Sequence, residues 1–229
     1  VGVNKLTISD GNGIWCTTSI AAYLFRNDVL YKLSIPKELQ PVNIIYQFKD
    51  KTLLIGSISN RLCTFENISQ NIVKKEISYI NSTMYFIFTK KIINDRTGKV
   101  AMFFDQNNIQ LTSSLRPSLN FSYNRISERI NNAYFNADNK LVINAKKNYL
   151  YTNNKLESFP ELVRFDGTII SDHLVLDDYT ELFNIDGDSL FLLKNHKFYN
   201  LTEAFDTPVD IQITKIVFED STLYLATMK

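Results

Sequence analysis

The chain has 229 residues, of which 45% are hydrophobic and 13% aromatic, with only 7 glycines and 5 prolines. This apolar fraction excludes a collagen-like or disordered chain, and no window approaches the ~18 uncharged apolar residues of a transmembrane helix. The formal net charge of +1 lacks the basic excess of a nucleic-acid-binding protein. The composition therefore predicts a globular protein that contacts neither nucleic acid nor membrane.

The residue types favour strands over helices. The sequence contains 25 isoleucines, 16 phenylalanines and 12 tyrosines but only 8 alanines. Branched and aromatic side chains suit a pleated sheet, whereas alanine is the strongest helix former. Asparagine, with 24 copies, clusters between apolar runs, where its short polar side chain favours turns. We therefore expect an all-β fold.

Six segments repeat one pattern: an apolar strand, a tight polar turn and a second apolar strand. The second strands align on Trp15, Leu54, Ala101, Val142, Phe183 and Tyr224. These positions lie 39, 47, 41, 41 and 41 residues apart. A sandwich or barrel also has frequent turns, but a period near 40 with four short strands per unit is typical of a β-propeller.

The repeat predicts one β-propeller region over residues 1–229, with about five full four-stranded blades and a partial one. The predicted blades start near residues 3, 44, 90, 133, 173 and 214. Third and fourth strands are predicted for four blades, at 21–25 and 29–33, 61–67 and 72–77, 148–154 and 155–159, and 189–195 and 196–201. The last unit has only two strands, so we expect an open arc that belongs to a longer propeller.

The segment from Asp10 to Thr18 (DGNGIWCTT) resembles the two-component-regulator propeller repeat, which has an acidic turn with glycine, then an aliphatic residue, tryptophan, a hydrophobic residue, glycine and threonine. Cys16 takes the hydrophobic place, and Thr17 replaces the glycine. The second blade retains only the glycine, as Gly56, and the last keeps the acidic turn and Thr227, with Tyr224 for tryptophan. The three middle units have lost the motif.

The resemblance implies the extracellular sensor region of a hybrid histidine kinase or related regulator from Bacteroidetes-type bacteria, in the periplasm or outside the cell. Its partners would then be an unknown ligand, such as an oligosaccharide, the rest of its own receptor chain, and a second copy in a homodimer. The motif itself specifies a blade. Within the motif, Trp15 is predicted to be buried, with its large aromatic ring filling the wedge-shaped space between neighbouring blades.

The sequence predicts no catalytic, cofactor-binding or metal-binding residue, and no cofactor. His173 and His196 have no second ligand at metal spacing, so both are interpreted as structural or surface residues. Cys16 and Cys63, too few for a disulfide scaffold, are interpreted as buried small hydrophobic residues. The chain itself is therefore predicted not to be an enzyme.

Two acidic motifs are also interpreted structurally. The segment 186–188 (DGD) resembles part of a calcium loop but lacks the further oxygen ligands, so it is predicted to be a β-turn. Asp177 and Asp178 are adjacent, and adjacent strand residues point to opposite faces, so they cannot act together on one bond.

Three lysine pairs, at 74–75, 90–91 and 146–147, indicate a solvated face or, if they share one rim, a patch for an anionic ligand such as an acidic polysaccharide. The favoured function is a ligand-sensing or interaction propeller of a two-component receptor. The alternatives are a propeller enzyme acting on polysaccharide, as a lyase or hydrolase, and a pure protein-interaction scaffold.

Overall fold

The structure is a computed structural model that describes residues 5–9, 13–48, 52–66, 68–85, 89–95, 97, 99–104, 108–112, 124–125, 127–152, 155–204 and 212–228. These residues form strands joined by turns and three short 3-10 helices, at Lys37–Leu39, Pro160–Phe165 and Thr202–Ala204. The chain divides into two compact units, 1–94 with 98–125 (unit 1) and 95–97 with 126–229 (unit 2).

Unit 1 contains three sheets. The first has six strands in the order β1-β2-β3-β4-β9-β8, and the other two have four strands each, in the orders β10-β7-β6-β5 and β11-β12-β13-β14. Their strands are β1 (Lys5–Ser9), β2 (Gly13–Thr17), β3 (Ala22–Arg26), β4 (Val29–Leu33), β5 (Val42–Gln47), β6 (Leu53–Ser57), β7 (Arg61–Glu66), β8 (Ser69–Asn71), β9 (Glu76–Ser78), β10 (Asn81–Tyr85), β11 (Thr89–Asn94), β12 (Val100–Phe104), β13 (Asn108–Thr112) and β14 (Asn124–Arg125).

Unit 2 contains two four-stranded sheets, β15-β16-β17-β18 and β19-β20-β21-β22, and the two-stranded sheet β23-β24. Their strands are β15 (Asn132–Phe135), β16 (Leu141–Asn144), β17 (Asn148–Thr152), β18 (Lys155–Ser158), β19 (Ile170–Asp177), β20 (Thr180–Ile185), β21 (Ser189–Lys194), β22 (Lys197–Asn200), β23 (Gln212–Glu219) and β24 (Thr222–Met228). The first strands of the six sheets thus begin at residues 5, 42, 89, 132, 170 and 212.

The predicted all-β propeller fold is confirmed: successive segments of the chain form successive sheets of mostly antiparallel strands, as in propeller blades. The predicted number of regular blades is too high. Among the described residues, four sheets have four strands, whereas the first has six and the last has two. The first sheet is larger because the β8–β9 hairpin adds to it through a parallel pairing of β9 with β4.

That hairpin also corrects one predicted strand. Residues 72–77 were expected to form the fourth strand of the second blade, but β10 takes that place, antiparallel to β7. Ile72 and Val73 lie instead in the exposed hairpin turn, while Ile77 in β9 is buried against the first sheet. A pattern of alternating apolar residues cannot tell which of two neighbouring edges a short strand will pair with.

The second strands form the core of the blades. Of the six aligned positions, the first five are at most 1% exposed, as expected for strands covered on both faces. The sixth, Tyr224 in β24, is 55% exposed. The repeat thus predicts strand positions throughout, but it does not predict burial in the last unit.

Candidate functional site

Trp15 is completely buried in unit 1, within an apolar cluster that includes Leu24 from its own sheet and Ile45 and Ile55 from the second. Its indole Nε1 donates a 2.8 Å hydrogen bond to Oε1 of Gln47, which lies in β5 of the next blade. The predicted burial between blades is therefore confirmed. The bond to Gln47 was not predicted, because nothing in the sequence marks that glutamine.

The two cysteines differ from each other. Both are free thiols, and Cys63 is buried as predicted, but Cys16 is only partly buried, so that part of the prediction is wrong. Burial raises the pKa of the Cys63 thiol to about 11 and also raises the pKa of Cys16. Because the thiolate is the reactive form, neither thiol is activated as a nucleophile.

Of the motif's other elements, the structure describes the two threonines but not the acidic turn. The acidic turn at 10–12 falls outside the described residues. Thr18 is buried, and its hydroxyl accepts a hydrogen bond from the backbone N–H of Ala21 at 3.2 Å. Thr17 is buried as well, and its hydroxyl has no hydrogen-bond partner among the described residues.

His196 is a surface residue, in line with the prediction. It lies in the turn between β21 and β22 at positive φ, and its Nδ1 is 2.7 Å from Oε1 of Glu161. The His196 side chain is 83% exposed, so this contact is screened by water.

His173 belongs to a buried polar cluster in unit 2. Its Nε2 lies 2.6 Å from Oε2 of Glu181, and the two side chains are only 4% and 8% exposed. The imidazole stacks on the ring of Tyr134, with centroids 3.9 Å apart. The other Glu181 oxygen, Oε1, accepts a 3.2 Å hydrogen bond from the backbone N–H of Ala137. The carboxylate on β20 is thus bonded to β19 and to the turn after β15.

Tyr134 completes the cluster. Its hydroxyl is buried without a hydrogen-bond partner among the described residues. Burial, followed by the nearby charge of Glu181, raises the pKa of Tyr134 well above its usual value. The hydroxyl therefore stays protonated. A histidine, a carboxylate and a tyrosine could in principle move protons, but here they are closed off from solvent, so the present arrangement serves packing.

The predicted turn at 186–188 is present, whereas Asp178 lies in the turn after β19 and not in the strand beside Asp177. Residues 186–188 form the turn between β20 and β21, with Asp186 and Gly187 at φ values of +53° and +84°. Asp177 is exposed and accepts a 2.8 Å hydrogen bond from the Tyr179 N–H, and this bond lowers its pKa. In the described part of the chain, no group of three histidine, cysteine, aspartate or glutamate residues could hold a metal ion.

In unit 2, backbone hydrogen bonds join turns from two blades to the connector between them, and we call these three segments the turn surface (residues 145–147, 166–169 and 186–188). Backbone hydrogen bonds join its parts: the Gly167 N–H donates to the Lys146 carbonyl at 2.9 Å, and the Asp186 N–H to the Ile169 carbonyl at 2.7 Å. Lys146 and Lys147 are both exposed on this surface.

Two buried asparagines, Asn144 and Asn148, form hydrogen bonds to the backbone and side chains of the turn surface. Asn144 Nδ2 donates to Asn148 Oδ1 at 2.9 Å and to the Thr168 carbonyl at 3.1 Å, while its Oδ1 accepts the Ile170 N–H at 3.1 Å. Asn148 in turn binds the Asp166 carboxylate through its backbone N–H at 2.9 Å. These hydrogen bonds restrain the backbone of the connector at 166–169 and thereby the turn surface to which it belongs.

The other two lysine pairs belong to unit 1. Lys74 and Lys75 are exposed in the β8–β9 turn of unit 1. Lys90 and Lys91 belong to β11, and the Lys91 side chain is partly buried. The sequence could not predict these settings, because each depends on which strands pair.

No protein-family model matches the sequence, and neither does any curated protein. Solved structures do match. YCF48 bound to D1 peptide is 11% identical, with a TM-score of 0.69 over 99% of this chain and 75% of that one. A streptogramin B lyase is 13% identical, with a TM-score of 0.64 over 98% of this chain and 76% of that one.

The extracellular domain of BT4673 from B. thetaiotaomicron, a protein assigned to the hybrid two-component systems, is 11% identical, with a TM-score of 0.62 over 98% of this chain and 34% of that one. The predicted resemblance to such receptor regions is thereby confirmed at the level of the fold. These structures include a peptide-bound propeller, a lyase and a receptor domain, so the shared fold defines a β-propeller and leaves its ligand open. No helix among the described residues is long and apolar enough to cross a membrane.

Proposed function

We propose that this chain is the ligand-binding propeller of an extracytoplasmic bacterial two-component receptor, with an oligosaccharide as its ligand and the rest of the receptor chain as its partner. The likeness to the BT4673 extracellular domain over 98% of this chain carries the proposal. The segment from Asp10 to Thr18 supports it as well, through its resemblance to the two-component-regulator propeller repeat.

The turn surface of unit 2 is the proposed ligand-binding region. It presents two lysines side by side, at 146 and 147, on a backbone that buried amides hold in place. A rigid surface loses little conformational entropy when it binds. The lysines favour an acidic oligosaccharide, because an ammonium group attracts a carboxylate or sulfate group.

The binding role is also supported by the state of the His173–Glu181 pair. A general acid or base has to lie within hydrogen-bond reach of its substrate, and these side chains are only 4% and 8% exposed. The proposed receptor propeller therefore binds its ligand without converting it, and the chemistry belongs to other domains.

The test is a binding and turnover assay on the purified chain with neutral and acidic oligosaccharides, using calorimetry for binding and chromatography for products. We expect an acidic oligosaccharide to bind and to be recovered intact. The double variant Lys146→Ser/Lys147→Ser should bind it at least fivefold more weakly. The matched control Lys74→Ser/Lys75→Ser, which removes an equally exposed pair in unit 1, should bind like the unaltered chain.

Two outcomes would overturn the proposal. If no oligosaccharide binds, the ligand class is wrong. If products accumulate, the chain is an enzyme. A polysaccharide lyase or hydrolase is the second candidate, and the fold it shares with a streptogramin B lyase favours it. Tight binding of extended peptides without any sugar binding would instead favour an interaction scaffold, in line with the fold shared with peptide-bound YCF48.

A further inference from the structure

Arg164 lies over an aromatic cluster in unit 2. Its guanidinium carbon is 5.0 Å from the ring centroid of Phe165, 5.7 Å from that of Phe191 and 5.6 Å from that of Phe198. These rings belong to the 3-10 helix at 160–165, to β21 and to β22. A cation within about 6 Å of an aromatic ring is attracted to its face. Side chains from three elements therefore hold the guanidinium in place.

The rings beneath the guanidinium are themselves fixed by packing. Phe165 is 5% exposed and contacts Phe191 and Phe198 edge to face, with ring centroids 5.0 Å apart in both pairs. All three rings belong to the apolar cluster that includes the buried Leu162. An arginine side chain that is already ordered by such contacts loses less conformational entropy when it binds a ligand.

The Arg164 side chain is exposed, and it forms no ion pair with any residue that the structure describes. The acidic residues before and after it in the chain have other partners. Glu161 Oε1 lies 2.7 Å from Nδ1 of His196, and the Asp166 carboxylate accepts the Asn148 N–H at 2.9 Å. Phenylalanine rings accept no conventional hydrogen bond, so contact with them does not use the five N–H donors of the guanidinium.

Arg164 is also close to the proposed ligand-binding region. It precedes Asp166, the first connector residue of the turn surface, by two positions. Asn148 Nδ2, which belongs to the hydrogen-bond network of the turn surface, donates to the Leu162 carbonyl in the 3-10 helix at 3.1 Å. The same asparagine therefore restrains both the turn surface and the helix that carries Arg164.

We propose that Arg164 binds the carboxylate of an acidic oligosaccharide and so adds a further cationic group to the site at the turn surface. The inference rests on the proposed function, because it names the class of that ligand as a sugar containing uronic acid. A guanidinium donates two parallel hydrogen bonds to the two oxygens of a carboxylate, a fit that a lysine ammonium group lacks. The aromatic contacts keep this planar group oriented for the ligand.

The test is isothermal titration calorimetry of the 229-residue chain with trigalacturonate and with its methyl ester, which has the same sugar rings without the charge. We expect trigalacturonate to bind and the ester to bind roughly tenfold more weakly or less. Arg164→Met keeps an apolar cover over the rings and should weaken trigalacturonate binding about tenfold, because it removes charge-assisted hydrogen bonds. Arg164→Lys keeps the charge without the planar donors and should weaken it about threefold.

The matched control is Lys197→Met. Lys197 is an exposed cation on β22, next to Phe198 in the chain, and adjacent strand residues point to opposite faces. The variant therefore removes one positive charge from the same blade but not from the face that Arg164 covers. It should bind trigalacturonate like the unaltered chain.

A direct readout comes from nuclear magnetic resonance. The Arg164 Nε–Hε signal, assigned by its loss in Arg164→Lys, should shift when trigalacturonate is added and stay in place with the methyl ester. If Arg164 only covered the aromatic rings, its signal would respond to neither sugar, and the proposal would be wrong.

The outcomes separate this inference from the proposed function. If trigalacturonate binds both Arg164 variants as tightly as the unaltered chain, Arg164 is not part of the site, while the proposed function stands. If only neutral or sulfated oligosaccharides bind, the carboxylate assignment is wrong, and the proposed function again stands. If no oligosaccharide binds, the proposed function fails and this inference fails with it.

Discussion

The two units connect neighbouring blades through different chemistry at comparable places. In unit 1, Trp15 on the second strand of its blade fills an apolar cluster and makes one hydrogen bond to the next blade, through Gln47. In unit 2, Asn144 on the second strand of its blade reaches Ile170 at the start of the next blade through its amide group. One contact depends on apolar area, and the other on hydrogen bonds that are shielded from water.

This difference predicts how each contact fails. Removing a large buried ring loses the transfer free energy of its surface and leaves a cavity. Removing a buried amide leaves its partners without hydrogen bonds, which costs less in total but acts on backbone groups that fix a turn. The contact between blades in unit 1 thus depends on the size of a buried side chain, whereas the contact in unit 2 depends on its hydrogen bonds.

Trp15→Ala should have the largest effect, with a loss of about 3–5 kcal/mol in the free energy of unfolding. Urea denaturation measures it. Trp15→Phe keeps most of the apolar volume and loses the bond to Gln47, so it should cost clearly less. If the two substitutions cost the same, the hydrogen bond rather than the apolar area holds these blades together, and the comparison between the units fails.

Glu181→Ala should follow, with a loss of about 2–3 kcal/mol, because it leaves His173 and the Ala137 N–H without their buried acceptor. Glu157→Ala, at an exposed position on β18, is the matched control and should change the free energy of unfolding by less than about 0.5 kcal/mol. A double-mutant cycle with His173→Ala should show coupling. Strictly additive losses would mean that the 2.6 Å contact contributes nothing.

Asn144→Leu should cost about 1–3 kcal/mol, because the buried amide makes three hydrogen bonds of 2.9–3.1 Å. The matched variant is Asn184→Leu. Asn184 is equally buried, but its Nδ2 donates to the Ile213 carbonyl while its Oδ1 has no partner among the described residues. The loss at Asn184 should therefore be smaller. An equal or larger loss in Asn184→Leu would contradict the view that the number of hydrogen bonds determines the contribution of the buried amide.

The sequence predicts the apolar connection and not the polar one, for a physical reason. Trp15 lies in a repeat motif, and a large aromatic residue in the middle of a strand is expected to be buried in the core. Glu181 and Asn144 belong to residue types that are usually exposed. Their burial depends on partners brought from distant positions, such as His173 and Ile170, and one sequence without its pairing register does not contain that information.

The positions of the strands could be predicted because they depend on the local sequence. Period-two alternation and asparagine turns mark where strands begin and end. The choice of edge is not local, so the strand predicted at 72–77 stands in the wrong blade, and the repeat pattern does not indicate that Tyr224 is exposed.

The cysteines give the smallest effect, a labelling difference that leaves stability unchanged at neutral pH. Cys63 is 1% exposed within the same apolar cluster as Trp15, whereas Cys16 is partly exposed. A small alkylating reagent at pH 8 should therefore modify Cys16 first, and Cys63 only after denaturant is added. Mass spectrometry of the labelled peptides measures both rates. Rapid labelling of Cys63 in the folded chain would mean that the cluster around Trp15 opens to solvent.

The pH dependence of Cys63 sharpens this test. Burial raises its pKa in the folded chain to about 11, above the value of about 8.5 for a free cysteine. Below pH 8.5 the thiol is neutral in both states, and the folded state is not penalised. As pH rises from about 8.5 to about 11, the unfolded chain ionises first, so the free energy of unfolding should fall. Cys63→Ala should remove this part of the decline, while Cys16→Ala should retain it. A decline in Cys63→Ala as steep as in the unaltered chain would show that the thiol in the Trp15 cluster is not its source.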